Sequence, residues 1–212
     1  ASVKDESQET LKASEDISLA SWVDWDECHY IGTSHKCYLI FETQGKLLFV
    51  DQHAFHERIL YERLCQDEGL LKKSESLLIP EVISLEPSLI ASLMESKARL
   101  EAMAFDFNKV SDDEIEVLAV PSLLKNRELT SLFAELSEKE KTSYLSEELH
   151  HLLLATIACH SAVRSGDVLT EENIERLKRE AQNVDFSANC PHGRRVFKWF
   201  TENEVKGWFD RT

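Results

Sequence analysis

No stretch of about 18 apolar residues occurs in this chain and no signal peptide opens it, which points to a soluble, cytoplasmic protein. A regular cysteine framework is missing too. The five Cys are an odd number without even spacing, which favours a reducing compartment over a disulfide-stapled fold. There is no glycine-rich phosphate loop, so nucleotide hydrolysis has no place here. Positive charge is scarce: 24 Lys and Arg stand against 39 Asp and Glu, for a formal charge of −15. Affinity for nucleic acid comes largely from phosphate neutralisation, so a domain this acidic is expected to bind duplex DNA weakly on its own. No basic recognition helix is found, which counts against a metal-sensing DNA-binding regulator. No internal repeat is found either.

What is present starts with length. The 212 residues suffice for one large domain or two small ones with a core. Residues 1–21 are rich in Ser, Glu, Lys and Asp. They cannot bury enough surface to offset chain entropy, and are expected to be a flexible linker remnant of a longer protein. Lys36–Phe41 and Lys46–Val50 read as two strands of a hairpin with Gly45 at the turn. The second is a continuous apolar run, expected to be buried. Helix is expected over Ala54–Gln66, Leu89–Ala104, Leu129–Leu136, Ser143–Arg164 and Glu171–Gln182, the last capped by Thr170. Strands are expected at Glu81–Leu85, Phe105–Val110, Glu114–Val120 and Val196–Phe200. Thr201-Glu202-Asn203-Glu204 is a capping box opening a terminal helix. The fold class is α+β in two lobes: 22–79 with 146–212, and an inserted external lobe, 80–145.

The chemistry-bearing segment is Asp51-Gln52-His53-Ala54-Phe55-His56-Glu57, with Glu62 beyond it. Asp51 sits at a strand end. His53 and Glu57 are four apart and share one helical face. Imidazole and carboxylate at that spacing suit a divalent metal. A solvated helix start, with acids favoured by the dipole, is the plain alternative. Glu62 is rotated roughly 140° off that face and is a weaker candidate. Two other segments add sulfur and nitrogen: Ala158-Cys159-His160, and Cys190-Pro191-His192-Gly193-Arg194-Arg195. Cys-x-His offers thiolate and imidazole from one tight loop, with Gly193 permitting the turn. Together the three segments hold enough oxygen, nitrogen and sulfur ligands for one or two metals. Cys28, Cys37 and Cys65 are expected to be buried or half-buried thiols.

The segment Asp-Gln-His-Ala-x-x-Glu-x-x-x-x-Glu, the Ala-Cys segment, the Cys-Pro-His-Gly-Arg segment and a closing Phe209-Asp210-Arg211 occur in that order. In this the chain resembles the C-terminal endonuclease and dimerisation domain of MutL-type DNA mismatch repair proteins, over roughly Asp26 to Arg211. Two positions depart from the family's habit: Arg195 stands where Pro is usual, and His160 where a basic residue is common. The resemblance implies a metal-dependent nuclease that nicks one DNA strand, with Asp51, His53 and Glu57 as catalytic residues. The implied metal ligands are Asp51, His53, Glu57, Cys159, Cys190 and His192, with Glu57 shared. Cys190 and His192 would hold the tighter ion, zinc, and Asp51 and His53 a more open catalytic manganese. Glu62, Arg164 and Arg194 would orient a ligand or a phosphate. Leu77-Leu78-Ile79-Pro80 resembles a sliding-clamp-binding segment, with Glu75 where Gln is usual; a strand-end apolar run is the alternative. Further implied partners are a second copy of the chain, duplex DNA and a mismatch-recognition protein. Any ATP dependence would lie in an N-terminal region outside this chain. Trp199, Phe200, Trp208 and Phe209 would supply either a dimer surface or core. The competing function is a non-catalytic dimerisation module with structural zinc.

Overall fold

The computed structural model describes residues 23–124, 128–139, 146–164, 166–186, 190–191 and 193–210. The expected linker 1–21, His192 and Arg211 lie outside the described residues. The architecture is α+β: two antiparallel sheets and, among the described residues, seven α-helices. No helix among these residues is long and apolar enough to cross a membrane.

The chain forms two compact units, one reaching Ile59 and resuming at Ala162, the other Leu60–Ser161. These are units of packing. The expected division into a dimerisation lobe and an inserted lobe is a functional one and stays a proposal.

The first unit holds a sheet in the order β1-β2-β3-β7: β1 (His29–Ser34), β2 (Tyr38–Thr43), β3 (Lys46–Asp51) and β7 (Phe197–Thr201). The hairpin between β2 and β3 turns on Gln44 and Gly45, both at positive φ (50° and 70°). That is the two-residue turn whose twist matches its strands, and it favours Gly at its second place. The register places Leu39, Phe41, Leu48 and Val50 on one fully buried face. Trp25 and Phe55 pack beneath it, with ring centroids 4.7 Å apart, and Phe186 stacks on Phe55 at 5.3 Å. Thr170 caps α6 (Glu171–Ala181), and Thr201 forms the expected capping box with Glu204 at the start of α7 (Glu202–Gly207).

Three expectations are corrected here. Strand β1 was not expected, because its residues are half-exposed in alternation and its pairing is broken by a bulge at Tyr30/Gly32. The apolar run of β3 is buried only at Leu48 and Val50; Leu47 and Phe49 face the other side with Ile40 and Phe200 and are half-buried. Alternation across a strand separates the two sets. Trp199 pairs with Leu48 and packs on the core, while Phe200, Trp208 and Phe209 belong to the outer side or to solvent. Cys28 is buried as expected, and burial pushes its thiol up to about 11.

The second unit holds the sheet β4-β6-β5: β4 (Ser74–Ser84), β5 (Asp106–Lys109) and β6 (Glu114–Pro121). The helices α2 (Pro87–Glu95), α3 (Lys97–Ala102), α4 (Leu129–Lys139) and α5 (Ser146–Ser161) complete it. Leu89, Leu93, Phe107, Val117, Leu132 and Ile157 form part of its core. Helix was expected unbroken over Leu89–Ala104, but it divides at Ser96. The strand expected from Glu81 begins at Ser74, so Leu77–Pro80 lies inside an edge strand. Its pairing with β6 is interrupted between Ser76 and Glu81. Leu77 packs on the core, but Leu78 is fully exposed and Ile79 is 83% exposed. Cys65 is exposed, contrary to expectation. Helix α1 (Gln52–Gln66) starts in the first unit and continues into the second.

Candidate metal centre

Asp51 ends β3, and its N–H donates to the carbonyl of Val196 (3.0 Å). Its Oδ1 then accepts the N–H groups of His53 and Ala54, both at 3.0 Å. Asp51 is thus the N-cap of α1, occupying one carboxylate oxygen with the helix's otherwise unpaired donors. Gln52 is buried at 1% exposure. Its amide nitrogen donates to the carbonyls of Lys36 (2.9 Å), Arg164 (3.1 Å) and Asp167 (3.1 Å). This ties the start of α1 to Arg164 and Asp167.

His53 and Glu57 lie one helical turn apart. His53 Nδ1 is 2.8 Å from the Val163 carbonyl, which can only accept. The ring therefore carries its proton on Nδ1, and in its neutral form Nε2 presents a lone pair. That lone pair faces a carboxylate: Nε2 is 3.7 Å from Glu57 Oε2. Glu57 is fully buried. A cation between them would draw on both the imidazole lone pair and the carboxylate. Ligand atoms about 2.0–2.2 Å from one ion, subtending roughly 110–120°, stand roughly 3.3–3.8 Å apart. The observed spacing falls in that range. The Nδ1–H to carbonyl bond is the arrangement that orients metal-ligating histidines.

The remaining candidates divide clearly. Asp51 and His53 line one cavity of about 270 Å³ together with Gln52, Cys37, Arg164 and Arg194. Among the described residues, Asp51 and Cys190 do not join a compact metal-ligand group with His53 and Glu57. Cys190 is buried in the core of the first unit, at 3% exposure. Its loop is closed by Gly193 N–H to Cys190 O (2.8 Å) and Cys190 N–H to Arg194 O (3.0 Å). Gly193 sits at φ 79°, a conformation that glycine adopts without penalty. The proposed zinc partner His192 lies outside the described residues. Arg164 and Arg194 are both exposed. In the second unit, Cys159 is half-buried near the end of α5, and its neighbour His160 is 3.1 Å from Glu135. Glu62 is half-buried on the second-unit part of α1.

A further histidine of α1, His56, is not singled out by the sequence. His56 Nδ1 accepts the N–H of Val163 at 3.1 Å. His53 and His56 therefore bracket Val163, meeting its carbonyl and its N–H, which belong to successive peptide units. Their i, i+3 spacing was the available signal.

Residues 31–169 match the family described as the MutL C terminal dimerisation domain. The chain is 35% identical over 190 residues to the DNA mismatch repair protein MutL of Coxiella burnetii (strain CbuG_Q212), covering 86% of this chain and 32% of that protein. It is 31% identical over 185 residues to the MutL protein of Geotalea daltonii, covering 85% of this chain and 31% of that one. Against the MutL protein of Anaeromyxobacter sp. (strain K) it is 34% identical over 173 residues, covering 79% and 28%. The chain thus spans about a third of the length of the curated relatives it matches. With two thirds of its residues inside the matched span and this identity to bacterial MutL proteins, the chain belongs to the MutL C-terminal dimerisation domain family of DNA mismatch repair.

Proposed function

We propose that this chain is the metal-dependent endonuclease and homodimerisation module of a mismatch-repair protein, and that it nicks one strand of duplex DNA. The observation that carries this reading is the pair His53–Glu57: an imidazole lone pair, its tautomer fixed by Val163, facing a buried carboxylate at 3.7 Å. The pair His53 and Glu57 offers one imidazole and one carboxylate, which fits a borderline divalent ion such as zinc, and Cys159 would add a thiolate. Asp51, with its second carboxylate oxygen, would favour manganese in a more open position. Cys190 and His192 would hold a further ion, and Glu57 would be shared. A bound divalent ion supplies an activated water and stabilises charge on the phosphate.

The chain's own side chains do the rest. Val163 O holds the His53 ring. Arg164 and Arg194, lining the cavity beside Asp51 and His53, would take the phosphate oxygens. Glu62 would hold a ligand by hydrogen bond. With a charge of −15, DNA must be retained by the metals, a dimer groove or the rest of the protein.

The test is nicking of supercoiled plasmid by the full-length protein with manganese, comparing wild type with Asp51→Asn and Glu57→Gln. Loss in both variants, with fold and dimer retained, is the expected result. A folded, zinc-loaded wild type that leaves the plasmid intact, even with clamp and ATP added, would instead support the structural-zinc dimerisation module.

Two partner proposals accompany the activity. The outer face of the first sheet carries Ile40, Leu47, Phe49 and Phe200, extended by Trp208 at 58% exposure. Phe49–Phe200 and Phe200–Trp208 form edge contacts at 5.3 and 5.2 Å. A second copy would cover this face, which light scattering on a Phe49→Lys/Phe200→Glu variant would read as a monomer. The exposed Leu78 and Ile79 on an edge strand support a sliding clamp as the partner of Leu77–Pro80. Polar substitution of both should abolish clamp-stimulated nicking. Unchanged stimulation would remove that partner.

A further inference from the structure

Tyr38 and Asp51 stand directly opposite each other on β2 and β3. Cross-strand partners put their side chains on the same face of a sheet, about 5 Å apart at Cβ. Both residues line two cavities. One is the cavity of about 270 Å³ that also holds His53, Arg164 and Arg194. The other, of about 630 Å³, is lined as well by Arg195 and Lys198. Tyr38 and Asp51 are thus the wall that the two cavities share. Asp51 is the one carboxylate lining either of them, on a chain where 39 acids outnumber 24 bases. Cations gathered in a concave surface focus their field on an anion. Tyr38 is 44% exposed. Among the described residues its ring packs on no other aromatic ring and its hydroxyl has no hydrogen-bond partner.

From this arrangement we infer that Tyr38 is the stacking platform for one unstacked base of a DNA strand lying across Asp51. Arg195 and Lys198 take the strand's phosphates on one side of that wall, and Arg164 and Arg194 take them on the other. The inference rests on the endonuclease reading for the bond to be cut, and extends it to the form of the substrate. A base face is free in a single strand, a frayed end or a disrupted pair, whereas an intact duplex keeps its bases stacked on one another. Every base has such a face, so the platform is indifferent to sequence. Leu47, Phe49 and Asp51 follow one another along one face of β3. The apolar part of that row is the part given above to a second copy; its charged end, facing Tyr38, is the part taken by the strand.

The experiment uses the 212-residue chain in chelator, so that nothing is cleaved. Fluorescence anisotropy follows binding of a labelled single strand of about 12 nucleotides, and of the same sequence as a blunt duplex, across a series of salt concentrations. The variants are Tyr38→Phe, which keeps the ring, Tyr38→Leu, which keeps only apolar bulk, and Arg195→Gln. Each is checked for a cooperative thermal transition and, by light scattering, for its oligomeric state. Plasmid nicking by the full-length protein with manganese is measured separately.

The expected result is that wild type binds the single strand more tightly than the duplex, and that Tyr38→Phe does the same. Tyr38→Leu should weaken the single strand about tenfold and leave the duplex unchanged. Arg195→Gln should weaken both and lower the salt slope for the single strand by about 0.7, the share of one phosphate. Should Tyr38→Leu lose its cooperative transition, Tyr38→Thr takes its place. A wild type that holds the duplex at least as tightly, a Tyr38→Leu chain that holds the single strand as wild type does, or a Tyr38→Phe chain as weak as Tyr38→Leu overturns the platform. A monomeric Tyr38→Leu chain beside a dimeric wild type overturns it too, because Tyr38 then belongs to the contact between copies. Wild-type nicking together with an unaltered Tyr38→Leu affinity defeats the platform alone. The expected affinities without any nicking by the full-length protein uphold the platform and defeat the endonuclease reading instead.

Discussion

Replacing Gln52 with Met removes the side chain that joins the start of α1 to two other segments while keeping its length and burial. Its two amide hydrogens are shared among three carbonyls, Lys36 O, Arg164 O and Asp167 O. At about 1 kcal/mol net for each hydrogen, the gross loss is about 2 kcal/mol. Two features reduce it. Lys36 O also accepts from Gly166 N–H and Arg164 O from Asp167 N–H, so both carbonyls keep a partner. Gln52 Oε1 is buried without a hydrogen bond, so removing it recovers about 1 kcal/mol. The expected net destabilisation is about 1 kcal/mol, read as a lower urea midpoint with unchanged slope. Gln52→Glu should be worse than Met, because a carboxylate then faces three carbonyl oxygens and has no hydrogen to give. A Met variant within about 0.5 kcal/mol of wild type, or a Glu variant as stable as Met, would refute the clamp.

Three more outcomes are expected. Asp51→Asn keeps the Oδ1 acceptor of the N-cap and should leave stability nearly unchanged, whereas Asp51→Ala should cost about 1 kcal/mol in thermal or urea unfolding; equal effects would mean the cap contributes nothing. Gly193→Ala forces a side chain into φ 79° and should destabilise by about 1 kcal/mol, with faster exchange of the backbone amide at that position. Cys28 has a folded pKa raised by burial to about 11 from 9.0. Its contribution is therefore fully present below about pH 9 and lost as pH climbs toward 11, so urea midpoints should fall across that window in wild type but less in Cys28→Val.

The parts of the fold legible in the sequence were those with strong local chemistry. Gly45 at a hairpin turn, Thr170 and Thr201 as caps, and the i, i+4 pair His53–Glu57 each rest on residues close in the chain. What was missed depends on partners distant in sequence. β1 is a half-exposed strand that only its pairing with β2 defines. Leu78 and Ile79 look like core until the interrupted pairing of β4 turns them outward. Trp199 and Phe200 are neighbours in the chain, yet pleating sends one to the core and the other to the outer face. For the candidate site, the ligand types were readable, but the Val163 peptide that orients His53 lies 110 residues away and carries no side-chain chemistry of its own. The double duty of Asp51, as helix cap and ligand candidate, likewise emerges only from where β3 ends.

The central claim is that His53 and Glu57 hold a divalent ion between them. Crystals of the chain soaked in manganese or zinc, with anomalous data collected at each metal's edge, test it directly. The expected result is an anomalous peak about 2 Å from both His53 Nε2 and a Glu57 carboxylate oxygen, lost in Glu57→Gln. Well-ordered His53 and Glu57 side chains with no peak between them, or a peak held only by other residues, would contradict it.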